Sequence, residues 1–581
     1  MHRSIRSANR QTSGATRLWR VLAVIAALYL LNALVTFHNV WPTVFIRPSK
    51  ELSIELAGIV LLMAAWLQVG YTISRRWLVA LAVIFVLGAI VRYAEVTAPA
   101  LYGRQVNLYW DIQYLGAVTA MLTRVASPGL LVVSILAAVA GLTMLHFAAL
   151  WSWRCITGAL QFQLVRAVAA VAAIAVIVGF TQEQLAQERP RIPRFAMPIS
   201  KTFGEQFARI GAAALERGTV QQLPPSPALS STLSLIDGSD VLVIFVESYG
   251  RVVYDNRHLF ETLEPARAEL AAAITDTGRT VVSGFVKSPT FGGGSWLAHL
   301  NFLSGIEVRD ANRGNLLMTQ SRRLFGDALA EHGYRRVGLM PGLKKPWPEG
   351  GFYGFDRIYD DASLGYGGPA FGWWRIPDQF SLARLETLEL APRTSAANER
   401  RPLFVFFPTI TTHAPFHPTP PYQADWSRML DPQPFDQASL RDSLSQPPDW
   451  TDLSPSYSNS VAYSLRTFAG YLHTQRRDDL IVVIIGDHQP PAMVSGLNAS
   501  WDVPVHVIST NPAVIDALGS CGFVSGLLPA RETLGGMHQL GPSLLYAFAA
   551  PAPDSTTTQN TSLCPLRPGD PAPTYDPTVR S

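Results

Sequence analysis

Three short segments hold residues that bind metals and move protons. Glu247-Ser248-Tyr249-Gly250 follows the apolar run Val241–Val246. Gly486-Asp487-His488-Gln489-Pro490-Pro491 follows Leu480–Ile485, and Thr411-Thr412-His413-Ala414-Pro415-Phe416-His417 follows Phe404–Phe407. Glu, Asp and His are the oxygen and nitrogen ligands of Zn²⁺ or Mn²⁺. A lone acid after a strand more often caps a helix. A carboxylate, an Asp-His pair and two further histidines at three such ends together favour a metal site. A fourth segment, Lys287-Ser288-Pro289-Thr290-Phe291-Gly292-Gly293-Gly294-Ser295-Trp296, follows the extended run Thr280–Val286. Its glycines let the backbone approach a ligand closely. Ser295 then opens a helical pattern, Trp296–Leu303. Helix N-terminal amides and the dipole stabilise an anion there, which suits a nucleophile facing a metal. Ser is also an ordinary N-cap; the two roles are compatible.

The runs that carry these residues are short, apolar and rich in β-branched side chains. Arg336–Met340 and Val503–Ile508 are weaker versions, and helical patterns lie between them at Arg322–His332 and Ser458–Leu472. Fully apolar strands interleaved with helices predict an α/β domain with a mostly parallel sheet and helices on both faces. In such sheets ligands bind beyond the carboxyl ends of the strands, which is where Glu247, His413, Asp487 and His488 stand.

Composition sets the wider frame. The 581 residues are 48% hydrophobic and 15% charged, with 47 basic against 43 acidic side chains. That excludes a disordered chain, and a net charge of +4 is too weak for nucleic-acid binding by bulk charge. Three cysteines exclude a disulfide-dense scaffold. The mean hydropathy of +0.17 points to membrane spans. Five apolar runs, Leu18–Phe37, Glu51–Gly70, Trp77–Val96, Gly129–Trp151 and Leu164–Thr181, are each about 20 residues long, the length that crosses a hydrocarbon core. The first lacks the small-residue cleavage site of a signal peptide. Arg3, Arg6, Arg10, Arg17, Arg20, Arg75, Arg76, Arg154 and Arg166 lie on one side of these runs, against Arg47, Lys50, Arg104 and Arg124 on the other. The excess places the N-terminus in the cytoplasm, and five spans then place all that follows Thr181 outside it. The loop Ala98–Pro128, with Tyr102, Tyr109 and Trp110, reads as an external interfacial anchor. The expected organisation is a five-helix transmembrane domain (1–181), a juxtamembrane connector (182–231), a catalytic domain (232–550) and a flexible tail (551–581).

Five spans followed by an exported α/β domain with these motifs resemble the membrane-anchored branch of the alkaline phosphatase/sulfatase superfamily. That branch includes lipoteichoic acid synthases, the phosphoglycerol transferases of periplasmic glucans and, more distantly, phosphoethanolamine transferases. The resemblance implies one divalent cation, Mn²⁺ with Zn²⁺ or Mg²⁺ as alternatives, held by Glu247, Ser295, Asp487 and His488. It implies Ser295 as nucleophile and His413, in His413-Ala414-Pro415-Phe416, as a catalytic substrate-site histidine. Trp347 matches a family tryptophan; Gly354-Phe355-Asp356, Trp373–Asp378 and Gly541-Pro542-Ser543-Leu544-Leu545 match further landmarks. The family's phosphate-binding Arg two residues after that tryptophan is Glu349 here, so Lys344 or Lys345 is expected on the phosphate, with His417 also lining the substrate. The nucleophile is Ser where the transferases more often have Thr. Ser295 is followed by Trp296, Leu297, Ala298 and His299, so the formylglycine sulfatase signature is absent. Cys521 and Cys564 are free to form one bridge. The implied activity is transfer of a phospholipid headgroup at the outer face of the plasma membrane. The donor would be phosphatidylglycerol or phosphatidylethanolamine, and the acceptor a glycan or glycolipid hydroxyl. Hydrolysis by a membrane-anchored phosphodiesterase is the alternative.

Overall fold

The computed structural model describes residues 14–41, 43–102, 112, 116, 119, 123, 128–185, 194–216, 223–372, 374–390, 401–445, 448–475, 477, 479–549 and 564–566. Residues 103–111 of the expected external loop, Trp373 and the tail 551–563 and 567–581 lie outside them. The chain forms two compact units, the first within Met1–Pro99 and Gln105–Thr219, the second within Ala100–Arg104 and Val220–Ser581.

The first unit holds helices α1 (Gly14–Thr36), α2 (Ile54–Gln68), α3 (Arg75–Tyr102), α4 (Pro128–Ala159), α5 (Gln163–Leu185) and α6 (Ile199–Glu216). Ala27, Leu31, Val60, Met63, Ala82, Phe85 and Trp153 pack into its core. Large apolar side chains such as Leu62, Val133 and Val171 remain exposed, as lipid-facing residues do. Among the described residues, four helices are long and apolar enough to cross a membrane: α1, α3, α4 and α5. The sequence predicts five spans. The second run instead forms α2, a 15-residue helix of about 22 Å at 1.5 Å per residue, short of a ~30 Å hydrocarbon core. It starts at Ile54 because Ser53 caps it, accepting from the Leu56 amide; residues 51–53 of the apolar run are spent outside the helix.

The second unit is a three-layer α/β domain. Its strands are β1 (Asp240–Val246), β2 (Thr280–Lys287), β3 (Arg335–Met340), β4 (Arg357–Asp360), β5 (Leu403–Pro408), β6 (Leu480–Gly486), β7 (Asp502–Ser509), β8 (Val524–Ser525) and β9 (Thr533–Gly536). They form one nine-stranded sheet in the order β8-β2-β7-β6-β1-β5-β3-β4, with β9 also on β2. The strands from β6 through β1, β5 and β3 to β4 run parallel. The sheet as a whole is mixed, because β7 runs antiparallel to both β6 and β2. A parallel return needs a crossover, usually a helix, and between β6 and β7 the chain has only the four-residue helix Ala492–Ser495.

Side-chain alternation along the central strands feeds two cores. Leu242, Ile244, Val405, Phe407, Val482 and Ile484 face one side, where α7 (Glu264–Asp276) and α10 (Ser454–Thr474) pack. Val243, Phe245, Phe404, Phe406, Val483 and Ile485 face the other, against α8 (Ser295–Ser304) and α11 (Met537–Ala547). Between them in sequence lies α9 (Asp378–Leu385). Residues 223–231, expected as a connector, pack on this second unit: Leu223 and Leu229 join its core, and Ser231 Oγ donates to the Leu545 carbonyl at 2.7 Å.

Candidate active site

Register brings the candidate ligands together. Val246 of β1 pairs with Gly486 of β6, so Glu247 and Asp487 leave adjacent strands side by side. Phe245 pairs with Pro408 of β5. The chain leaving β5 is then tied to β1: the Thr409 amide donates to the Phe245 carbonyl at 2.8 Å, and the Glu247 amide to Thr409 Oγ1 at 3.1 Å. Gly486 is required before Asp487, since a Cβ there would lie 1.8 Å from the Tyr249 carbonyl oxygen. Ser248, between the ligands' two strands, sits in the left-handed region at φ 56°. This costs on the order of 1–3 kcal/mol and aims its amide at Asp487 Oδ1, 2.8 Å away. Tyr457 of α10 holds the Ser248 carbonyl at 2.8 Å.

Glu247, Asp487 and His488 offer ligand atoms that all lie within 4.8 Å of one another, and all three residues are buried. His488 Nε2 is 3.3 Å from Glu247 Oε1 and 3.7 Å from Asp487 Oδ1. Its Nδ1 lies 2.8 Å from the Gln489 carbonyl. A carbonyl only accepts, so Nδ1 carries a hydrogen and Nε2 faces the cluster, the orientation of a metal-binding imidazole. The electrostatics favour a cation. Burial, then the charge of Glu247, pushes the Asp487 carboxyl well above the ordinary range. Burial opposes ionisation of Glu247 too, but His488 and His413 hold it low. Burial would keep His488 neutral, yet Asp487 and Glu247 raise it to about 9. Two buried carboxylates pressed on one imidazole are what a divalent cation relieves, and this donor set fits one.

Ser295 reaches the cluster from α8. Gly294 precedes it at φ 81°, a conformation that favours glycine. Ser295 Oγ donates to Glu247 Oε2 at 2.8 Å and lies 3.2 Å from His488 Nε2. Thr290, the other hydroxyl of this loop, instead donates to the Gly293 carbonyl. The loop itself is pinned to the His488 segment by the Gly292 amide on the Gln489 carbonyl, 3.1 Å. One turn along α8, His299 packs edge-on against Phe245 and Phe406, and burial holds it down to about 3.

His413 Nδ1 lies 2.7 Å from the Ala414 carbonyl, which leaves Nε2 for a substrate. The other expected substrate residues are placed differently from one another. The Lys344 ammonium stands 5.7 Å from the Trp374 ring centroid, and the Trp374 and His413 rings make a T-shaped contact with centroids 4.9 Å apart. Lys345 is exposed. Trp347 stacks on Tyr353 at 5.2 Å and packs against the second core. His417 is half-buried, which lowers its pKa, and its carbonyl lies against Gly372. Of Ser248, Thr409 and Trp374, the sequence signals the first two only by their strand-end position and the third only as part of the Trp373–Asp378 landmark.

Residues 241–504, from β1 into β7, match the family model described as Sulfatase. No curated protein matches the chain. Among solved structures it is similar to the lipoteichoic acid synthase LtaP from Listeria monocytogenes, at 12% identity over 57% of this chain and 76% of that one, TM-score 0.35. It is similar to the integral membrane lipooligosaccharide phosphoethanolamine transferase A (EptA) from Neisseria meningitidis, at 14% over 92% and 95%, TM-score 0.43. It is also similar to the Streptococcus pyogenes phosphoglycerol transferase GacH in complex with sn-glycerol-1-phosphate, at 11% over 54% and 76%, TM-score 0.32.

Proposed function

We propose, from the sulfatase-family match and the site these residues build, that the protein transfers a phospholipid headgroup, phosphoglycerol first, to a hydroxyl of a glycan or glycolipid. The observation that carries the reading is the Ser295 hydroxyl, 2.8 Å from Glu247 and 3.2 Å from His488, in a chain that also carries four helices fit to cross a membrane. An anchored enzyme and a lipid donor share one surface. Ser295, ionised, attacks the donor phosphorus through Oγ and leaves as the same alkoxide when the acceptor replaces it. The phosphorus–oxygen bond to diacylglycerol breaks, His413 gives that oxygen a proton, and the phospho-headgroup stays on Ser295. The acceptor hydroxyl then returns a proton to His413 and takes the headgroup, which restores Ser295. A divalent cation bound by Glu247, Asp487 and His488 supplies the Lewis acid that lowers the cost of the serine alkoxide and of charge on the phosphoryl oxygens. Lys344 is the expected partner of the donor phosphate, in place of the arginine that Glu349 replaces.

The reaction is assigned to the outer face of the plasma membrane. The arginine excess on one set of loops supports it. So does the Cys521–Cys564 disulfide, since such bonds persist in oxidising compartments. In this reading α2 passes through the bilayer with the four longer helices, and the membrane thins or the flanks compensate for its length. The test is incubation of the purified protein with labelled phosphatidylglycerol or phosphatidylethanolamine. Diacylglycerol release with the label on Ser295 and then on a sugar hydroxyl is expected. Label only in water-soluble phosphoglycerol would make the protein a phosphodiesterase, and no diacylglycerol from either lipid would reject the reading.

A further inference from the structure

We propose that Asp378 is a positioning residue: it grips the turn that carries His413 and so sets where the imidazole is presented. This rests on the role given to His413 above.

Asp378 opens α9 and is fully buried. Its carboxylate makes no capping bond to its own helix and is turned to another segment. Oδ1 accepts the Ile410 amide at 2.9 Å and Oδ2 the Thr411 amide at 3.1 Å. The bond is returned, with the Asp378 amide 3.4 Å from Thr411 Oγ1. Both oxygens of one buried carboxylate thus close on successive amides of another segment, 32 and 33 residues away. That segment runs directly into His413, whose amide donates to the Ile410 carbonyl at 3.2 Å. The same stretch that supplies Asp378 supplies Trp374, whose ring packs in a T-shaped contact with the His413 ring, centroids 4.9 Å apart. One side of the turn is therefore held by the carboxylate and the imidazole by the indole.

A buried carboxylate is costly, and burial raises this one to about 6. An amide or an apolar side chain would fill a helix start at less cost. What the carboxylate adds is two acceptors in one plane, a fork that fixes two consecutive peptide units together. A catalytic group displaced by about 1 Å can lose on the order of a hundredfold in rate, so a device that fixes the turn has a use.

The experiment compares the full-length protein with Asp378→Asn, His413→Ala and the double variant, all in mixed micelles with the lipid donor that is cleaved. Asp378→Asn removes one acceptor and keeps the shape. Expected is a fall in kcat of at least tenfold with the donor KM within twofold, and unchanged metal content. The His413 imidazole ¹H–¹³C signal should move, and the double variant should be no slower than His413→Ala. Losses that multiply, an unmoved imidazole signal or wild-type turnover in Asp378→Asn would each overturn the proposal. Should Asp378→Asn not accumulate as folded protein, Asp378→Ser, which keeps one acceptor, is read in the same way. If His413→Ala keeps wild-type turnover, the acid–base role of His413 fails, and the imidazole signal alone decides whether Asp378 places it.

Discussion

Ser295 and Thr290 lie five residues apart in one glycine-rich loop and meet opposite fates. The glycines turn the chain so that the Thr290 hydroxyl closes on the Gly293 carbonyl, while the Ser295 hydroxyl reaches Glu247. Ser295→Ala should abolish the phospho-headgroup adduct yet leave the domain folded, since Gly294 is the cap of α8 and the Ser295 side chain makes no capping bond, so the expected N-cap role of Ser295 is not realised. Intact mass after incubation with donor lipid is the readout. An adduct mapped to Thr290, or formed undiminished in Ser295→Ala, would reject the assignment. Asp487 serves the same cluster differently. Its Oδ1 takes the amides of Ser248 and His488 at 2.8 and 2.6 Å. Asp487→Asn keeps an acceptor for them and removes the charge. Divalent metal by elemental analysis should drop at least tenfold in the variant; full occupancy would mean that the cation, if any, is held elsewhere.

At the scale of elements, the segment after β1 is tied to the far side of the sheet. Tyr249 and Tyr254 hydroxyls lie 3.3 and 3.2 Å from His506 Nε2 on β7, and His506 Nδ1 lies 2.7 Å from Ser283 Oγ on β2. Burial, with the Arg267 charge adding, holds His506 down to about 3, against about 6.5 in an unfolded chain. Between those values the unfolded state binds more protons than the folded one, so stability rises with pH there and is lost as pH falls. One such group contributes a slope of up to ~1.4 kcal/mol per pH unit. His506→Gln should therefore flatten the fall in melting temperature between pH 6.5 and 4.5. Parallel curves for wild type and variant would show that His506 titrates as in the unfolded chain. His299, also held to about 3 by burial, contributes in the same direction and leaves a residual slope.

At the scale of the whole molecule, the side on which the second unit lies is set by the parity of the spans. Among the described residues four helices meet the length for crossing, and α2 at 15 residues does not. A reporter that works only outside the cytoplasm should be active when fused after Ser581, and also after Lys50, but silent after Ser74. Activity after Ser74 would mean that α2 does not cross. The disulfide gives an independent reading of the same question. Cys521 and Cys564 are 43 residues apart, and closing a loop of that length stabilises by about 4 kcal/mol on the chain-entropy model. Thiol reductant, or Cys521→Ser, should lower the melting temperature of the second unit. If the protein purified under thiol-blocking conditions carries three free thiols, its second unit lies in a reducing compartment.

The sequence alone was enough for the residues whose position is set by their own strand. Glu247, Asp487 and His488 follow fully apolar runs, and an apolar run of that length has to be a buried strand whose carboxyl end opens on the binding crevice. Ser295 was legible for a similar local reason: three glycines and then a helical pattern. Membrane helices were legible from composition. What only the tertiary structure decided involves partners far apart in the chain. The antiparallel turn of β7 depends on how short the β6–β7 connection is once folded. The edge strands Val524–Ser525 and Thr533–Gly536 have too few residues to show a period and exist because β2 pairs with them. The length of α2 is fixed by where Ser53 caps it, not by where the apolar run begins. Asp378 and Trp374 acquire their place beside His413 through hydrogen bonds and ring contacts across more than thirty residues, and no local pattern in the chain encodes a bond of that kind.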